Sequence, residues 1–222
     1  NEHSLDGFLK LRYVNNSPDT LRFIWFHLWP NAYKNDRTAF SEQLLENGRT
    51  DFYFSSREQK GYINRLDFRI NNNTLKTEDH PLYIDVQKVY LVKPLAPGEE
   101  TELTTPFHVK LPYNFSRGGY VDQSFQVTQW YPKPAVYDKN GWHPMPYLDQ
   151  GEFYSEFANY DVRITLPDNY VVAATGELQN EEEKKLLKQS VVIETKKVNI
   201  LVVDDMSVNR LLLTNILTKL GY

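Results

Sequence analysis

Along most of this chain apolar and polar residues take turns. FLKLRYVNN over 8–16 alternates with period two, which predicts a strand with one wet face. Asn15, Asn16, Ser17, Pro18 and Asp19 then form a turn signal. LRFIWFHLWP over 21–30 is apolar on both faces and predicts a central strand covered on each side. The first helical spacing appears in DRTAFSEQLLEN over 36–47. There Phe40, Leu44 and Leu45 share a face, and Gly48 is placed to end the helix. Strand patterns follow: Leu66, Phe68 and Ile70, then Leu82, Ile84 and Val86, then Leu103, Phe107, Val109 and Leu111. LAPGEE (95–100) and FSRGGY (115–120) supply turns. Strands so spaced predict an antiparallel sandwich or layered sheet.

From 129 the pattern breaks. QWYPKPAVYDKNGWHPMPYLDQGEF carries Trp130, Tyr131, Tyr137, Trp142 and Tyr147 among four prolines. Proline lacks the ladder N–H, so a long ordered loop is expected, of the kind that is functional or wrapped over a core. Strands are expected again at Tyr160–Leu166 and Tyr170–Ala174, joined as a hairpin through Pro167, Asp168 and Asn169. NEEEKKLLKQ over 180–189 reads as a helix whose acids precede its lysines, as the dipole favours.

Composition sharpens this picture in three ways. An aromatic fraction of 14% within an apolar 41% gives ample core and favours strands. The net charge of −4 offers nothing to attract nucleic acid. With no cysteine, disulfides, thiolate metal sites and cysteine nucleophiles are excluded together. No apolar run reaches the roughly 18–20 residues of a membrane span.

Four segments carry a resemblance: YVNNSPDTLRFIWFHLWPNAY (13–33), LAPGEETELTTPFHVKLP (95–112), QWYPKPAVYDKNGWH (129–143) and YDVRITLPDNYVVAATGEL (160–178). In order and spacing, residues 8–197 resemble the N-terminal domain of the aminopeptidase N family of zinc metallopeptidases. That resemblance implies a twisted antiparallel β domain packed on a catalytic domain. Zinc would belong to the catalytic domain, bound by two histidines one helical turn apart in HExxH. The motif is absent here, and His3, His27, His80, His108 and His143 are scattered, none at i+4 from another. In the family, a Gln or Glu in TQxQ or TQxE contacts the substrate amine. Here the stretch is TQWY, Thr128 to Tyr131, so Gln129 matches the first Gln while Tyr131 occupies the amine-binding position. A phenol lacks the charge and second acceptor of a carboxylate. Either this subgroup binds peptides through Gln129 and Tyr131 differently, or both side chains pack within the loop.

The end of the chain resembles something else. NILVVDDMSVNRLLLTNILTKLGY (199–222) opens with an apolar run, continues into Asp204 and Asp205, and then spaces leucines and isoleucines as a helix. It is similar to the first strand and helix of a response-regulator receiver domain. The resemblance makes Asp204 and Asp205 the pair that ligates Mg²⁺ at the carboxyl end of a strand. A bland alternative is a strand-to-helix turn capped by Asp. The phosphoryl-accepting Asp and its partners are not in this sequence, so the metal site is incomplete.

These observations predict a mainly β fold of twisted antiparallel sheets or a β-sandwich, with short helices and a C-terminal β-α appendage. Residues 1–197 form the aminopeptidase N-type β domain, and residues 198–222 form the receiver-like fragment. The expected role is a non-catalytic scaffold for a peptidase domain, whose peptide cleft it shapes. The competing reading is a ligand-binding or sensory module, carbohydrate-binding through the loop aromatics, fused to a receiver. No cofactor is expected in this chain itself. The expected partners are the catalytic domain, through it a peptide, and a second copy docking on the 207–220 helix. Export suits the first resemblance and the cytoplasm suits the second. Val198–Val203 is further expected to dock on the β domain as a strand.

Overall fold

The computed structural model describes residues 3–179 and the backbone of 199–203. The helix expected over 180–189, the pair Asp204 and Asp205, and the helix expected over 207–220 lie outside these residues. The first half of the chain contains β1 (Ser4–Val14), β2 (Leu21–His27), a 3-10 turn at Trp29–Tyr33, and α1 (Ala39–Glu46). Four short strands follow: β3 (Tyr62–Asn64), β4 (Arg69–Ile70), β5 (Asn73–Thr74) and β6 (Thr77–Asp79). The long pair β7 (Val86–Leu95) and β8 (Glu100–Lys110) comes next. Then come β9 (Gly119–Val121), β10 (Ser124–Val127), β11 (Lys133–Pro134), β12 (Tyr137–Asp138), β13 (Gly141–Trp142), β14 (Tyr170–Ala174) and β15 (Asn199–Val203). The fold is mainly β, with several antiparallel sheets and few helices.

Two sheets enclose the main core. One runs β1-β8-β4-β5, with β3 also on β8; the other runs β11-β2-β7-β6. Ile24 and Phe26 of β2 and Val89 of β7 meet Leu103, Phe107 and Val109 of β8, with Ile63 and Phe68 filling between them. Each such side chain contributes about 1.5–3 kcal/mol by leaving water. The ion pairs Lys10–Glu102 and Arg12–Glu100 across β1 and β8 are solvent-exposed, so water and salt screen them. Apolar burial therefore decides the register. β2 lies between β7 and β11, and both its faces are covered as expected: Ile24 and Phe26 face the main core, while Trp25 packs with Val86 and Ala135.

A second cluster sits beneath α1, where Phe40 and Leu44 join Trp29, Tyr33, Phe52, Phe115 and Tyr147. The Thr38 hydroxyl accepts from the Ser41 N–H at 3.2 Å and caps α1. At the other end, Gly48 adopts φ +75°, which lets Arg49 N–H reach the Leu44 carbonyl at 2.8 Å. Leu45, expected on the buried face, is partly exposed.

The β7–β8 hairpin turns at Gly98, with φ +75°, as the Pro-Gly signal predicts. Three other expectations need correction. The run from Leu82 to Val86 is a strand only from Val86, because Pro81 sits inside a turn in which the His80 ring accepts the N–H groups of Leu82 and Tyr83. Leu82 is consequently 76% exposed. The pattern at Leu66–Ile70 yields a strand only at its end, β4. Tyr160–Leu166 forms no strand, although the turn before Tyr170 closes through a bond from Tyr170 N–H to the Pro167 carbonyl at 3.2 Å. Alternation makes a segment fit to pair but names no partner. β14 instead takes β15 as a parallel neighbour, with Val172 opposite Leu201.

A third sheet runs β14-β15-β10-β9, with β15 parallel to both β14 and β10. The expected docking of the tail strand is thus observed, over Asn199–Val203. Nearby, Gly119 holds φ +142°, and an added Cβ would lie 2.6 Å from the Pro112 carbonyl oxygen and 2.9 Å from Asn114 Cα. These are backbone atoms that cannot swing aside. Gly119→Ala is expected to lower unfolding free energy by about 2–3 kcal/mol in urea titration; a loss under about 0.5 kcal/mol would contradict the crowding seen at this glycine.

Candidate functional site

The 129–153 loop lies across the junction of the two apolar clusters, and its prolines determine how it is held. Pro144 and Pro146 have no N–H, so within 144–147 only Met145 and Tyr147 offer donors. The Met145 N–H donates to His27 Nε2 at 3.1 Å, and the Tyr147 N–H donates to Asp85 Oδ2 at 2.7 Å. The Met145 carbonyl accepts from Trp29 Nε1 at 3.0 Å. Three side chains from the β2–β7 region thus replace a missing ladder. Because His27 Nε2 accepts, its proton sits on Nδ1. Burial pushes the His27 pKa down to about 3, and the Lys133 charge adds to that effect. Burial pushes Asp85 the other way, up to about 6, against the N–H groups it accepts from.

Farther along, Tyr147 is fully buried, and burial raises its phenol pKa. Its hydroxyl lies 3.3 Å from Ser116 Oγ, which donates to Asp149 Oδ1 at 2.6 Å. Arg117 donates to the carbonyls of Asp149 and Gly151, and Arg49 to Asp149 Oδ2. The loop is thereby tied to the 115–117 turn.

At the start of the loop Gln129 is buried with φ +52°, a left-handed conformation that a non-glycine residue adopts at a cost. Lys133 Nζ donates to Gln129 Oε1 at 2.9 Å, and the ammonium lies 5.5 Å from the ring centres of Trp29 and Tyr131. Gln129 and Trp130 line a small cleft of about 20 Å³, room for a single water, together with Trp29, Tyr33, Val109 and Tyr147. Tyr131 does not line it; its hydroxyl donates to that of Tyr160 at 3.0 Å. The structure therefore brings Gln129 and Trp130 together at the cleft, with Lys133 holding the Gln129 amide, and directs Tyr131 to the exposed 152–168 segment.

The five loop aromatics do not share one surface. Tyr147 is in the core and Trp130 packs on Phe107, whereas Tyr137 and Trp142 stack edgewise, half-buried, beside Phe23. Among the described residues no three His, Asp or Glu side chains gather as a metal would require. His108 pairs with Asp6 and His143 with Asp138, each at 2.8 Å. No described helix is long and apolar enough to cross a membrane.

Sequence reading missed His27, Asp85 and Lys133. A signal for the first two was present: two prolines flanking Met145 leave lone donors that need buried acceptors. Lys133 sits between two prolines on an apolar loop, which gives no such signal. No protein-family model matches the chain, and no curated protein or solved structure matches it.

Proposed function

We propose that this chain is a non-catalytic domain of the zinc aminopeptidase type, a scaffold that positions a peptidase domain and forms one wall of its peptide cleft. The observation that carries the reading is Gln129. It is buried, left-handed and held by Lys133 at the edge of a small cleft, and it matches the first Gln of the family's motif, two residues before the amine-binding position that Tyr131 occupies. Backbone conformations of this kind cost about 1–3 kcal/mol and persist where the surroundings over-determine them, often at functional sites. The clamped loop supplies that rigidity. On this reading zinc and its glutamate base reside in the partner domain, and the present chain orients rather than reacts.

Two measurements test it. Purified chain with zinc and aminoacyl fluorogenic substrates is expected to show no turnover. Activity that survives repurification and vanishes on a His→Ala change would overturn the non-catalytic assignment. A peptidase domain of the aminopeptidase N type, expressed without its own N-terminal domain, is expected to bind this chain with Kd of about 1–10 µM by calorimetry. No binding heat at about 200 µM would remove the scaffold reading.

A further inference from the structure

β1 is an eleven-residue strand with a neighbour on one side only among the described residues. Its pairing with β8 runs unbroken from Ser4↔Lys110 to Val14↔Glu100, without a bulge. The bonds at both ends give the parity: Leu111 N–H donates to the His3 carbonyl, and Asn15 N–H to the Glu99 carbonyl. Odd-numbered residues of β1 therefore bond to β8, and even-numbered residues point their N–H and C=O groups outward. Pro106 stands opposite Phe8, at a non-bonded site, where its missing N–H costs the pair nothing. Among the described residues this leaves an unbroken row of backbone groups without a strand partner at Ser4, Asp6, Phe8, Lys10, Arg12 and Val14.

Sheet edges are usually blunted by charge, proline or a bulge. Here β1 carries charge of both signs in mirror order, each charge also paired within its own chain: Asp6 with His108 and Arg65, Lys10 with Glu102, and Arg12 with Glu100. Folding the strand onto a copy of itself about Leu9 pairs Asp6 with Arg12 of the second copy and Phe8 with its Lys10, each twice by symmetry. These are all outward-bonding residues, as antiparallel pairing requires. The register overlaps the whole strand. Moving its centre to Lys10 would set like charges opposite each other. Phe8 is 67% exposed and stands ready for a neighbouring ammonium. On the inner face Leu9 would meet its own copy, and Leu5 would meet Tyr13, extending an apolar row only partly buried in one chain.

We propose that β1 is a homodimerisation edge, at which two copies join β1 to β1 antiparallel about Leu9 and form one continuous sheet. The partner is a second copy of this chain, because the charge order is complementary to itself. This is separate from the scaffold reading, which concerns the cleft at Gln129.

Sedimentation of the full chain tests it. A concentration-dependent dimer is expected, with Kd of roughly 10 µM. Phe8→Pro removes one outward N–H and no bond to β8, so it is expected to weaken the dimer roughly tenfold or more with unchanged circular dichroism. The chain has no native cysteine, so a single introduced thiol reports the register. Leu9→Cys is expected to form an intermolecular disulfide under mild oxidation, and Phe8→Cys to do so far less. A monomer up to about 500 µM overturns the proposal. So does a dimer indifferent to Phe8→Pro, or one cross-linked best elsewhere.

Discussion

Between pH 5 and 6, His27→Gln and Asp85→Asn are expected to tilt the stability of this domain in opposite directions. His27 has a folded pKa near 3 against about 6.5 unfolded, so only the unfolded chain takes up its proton as pH falls through 6.5. Its contribution is complete above pH 6.5 and is lost on acidification towards 3. Asp85 has a folded pKa near 6 against about 3.9 unfolded. The folded chain holds that proton longer, so stability falls as pH rises from about 4 to 6. In the native protein the two slopes largely cancel between pH 5 and 6. With His27→Gln, whose amide oxygen still accepts from Met145, the Asp85 slope stands alone and acidification stabilises by about 1 kcal/mol per pH unit. With Asp85→Asn the His27 slope remains and acidification destabilises by a similar amount. His3 and His80, both lowered by burial, add a smaller tilt common to all variants. Urea titrations at four pH values check the signs. Parallel stability curves for the two variants would refute the assigned burial of both groups.

Trp29→Ala is expected to be the most damaging single change. The indole is buried, stacks on His27 at 4.3 Å, touches Phe153 at 4.5 Å and holds the Met145 carbonyl. Truncating a buried Trp costs about 3–5 kcal/mol, and an unsatisfied carbonyl adds about 1. Domains hold about 5–15 kcal/mol in total, so a fall in Tm of roughly 10–15 °C is expected. Trp29→Phe keeps most of the packing but not the donor, and should cost about 1–2 kcal/mol. If the alanine variant melts within about 2 °C of the native protein, the loop is not held through this residue.

What was legible beforehand follows a physical line. Leu103, Phe107, Val109 and Leu111 announced β8 because a strand's face is written in its own residues. Gly48 and Gly98 announced their turns because positive φ is a property of the residue itself. Tyr160–Leu166 misled because a strand also needs an edge to join, and sequence alternation says nothing of edges. At the candidate site the loop's boundaries were readable from its prolines. Its acceptors were not: His27 lies 118 residues from Met145, and Asp85 lies 62 from Tyr147. The left-handed Gln129 had no signal at all, since glutamine does not favour that conformation. Of the two residues singled out there, Gln129 reaches the cleft and Tyr131 turns to Tyr160.

The position of β15 bears on how the chain is made. Among the described residues β10 and β14 are joined only through β15, and β10 ends at Val127 while β15 begins at Asn199. A ribosome adds about 5–20 residues per second, so β10 waits roughly 4–14 s for the strand that covers it. Throughout that interval β10 is paired with β9 on one edge and open on the other, while Val127 already belongs to the main core. The two-sheet core, complete once β11 emerges, folds first, and the parallel patch closes as a separate, later event that chaperones have time to attend.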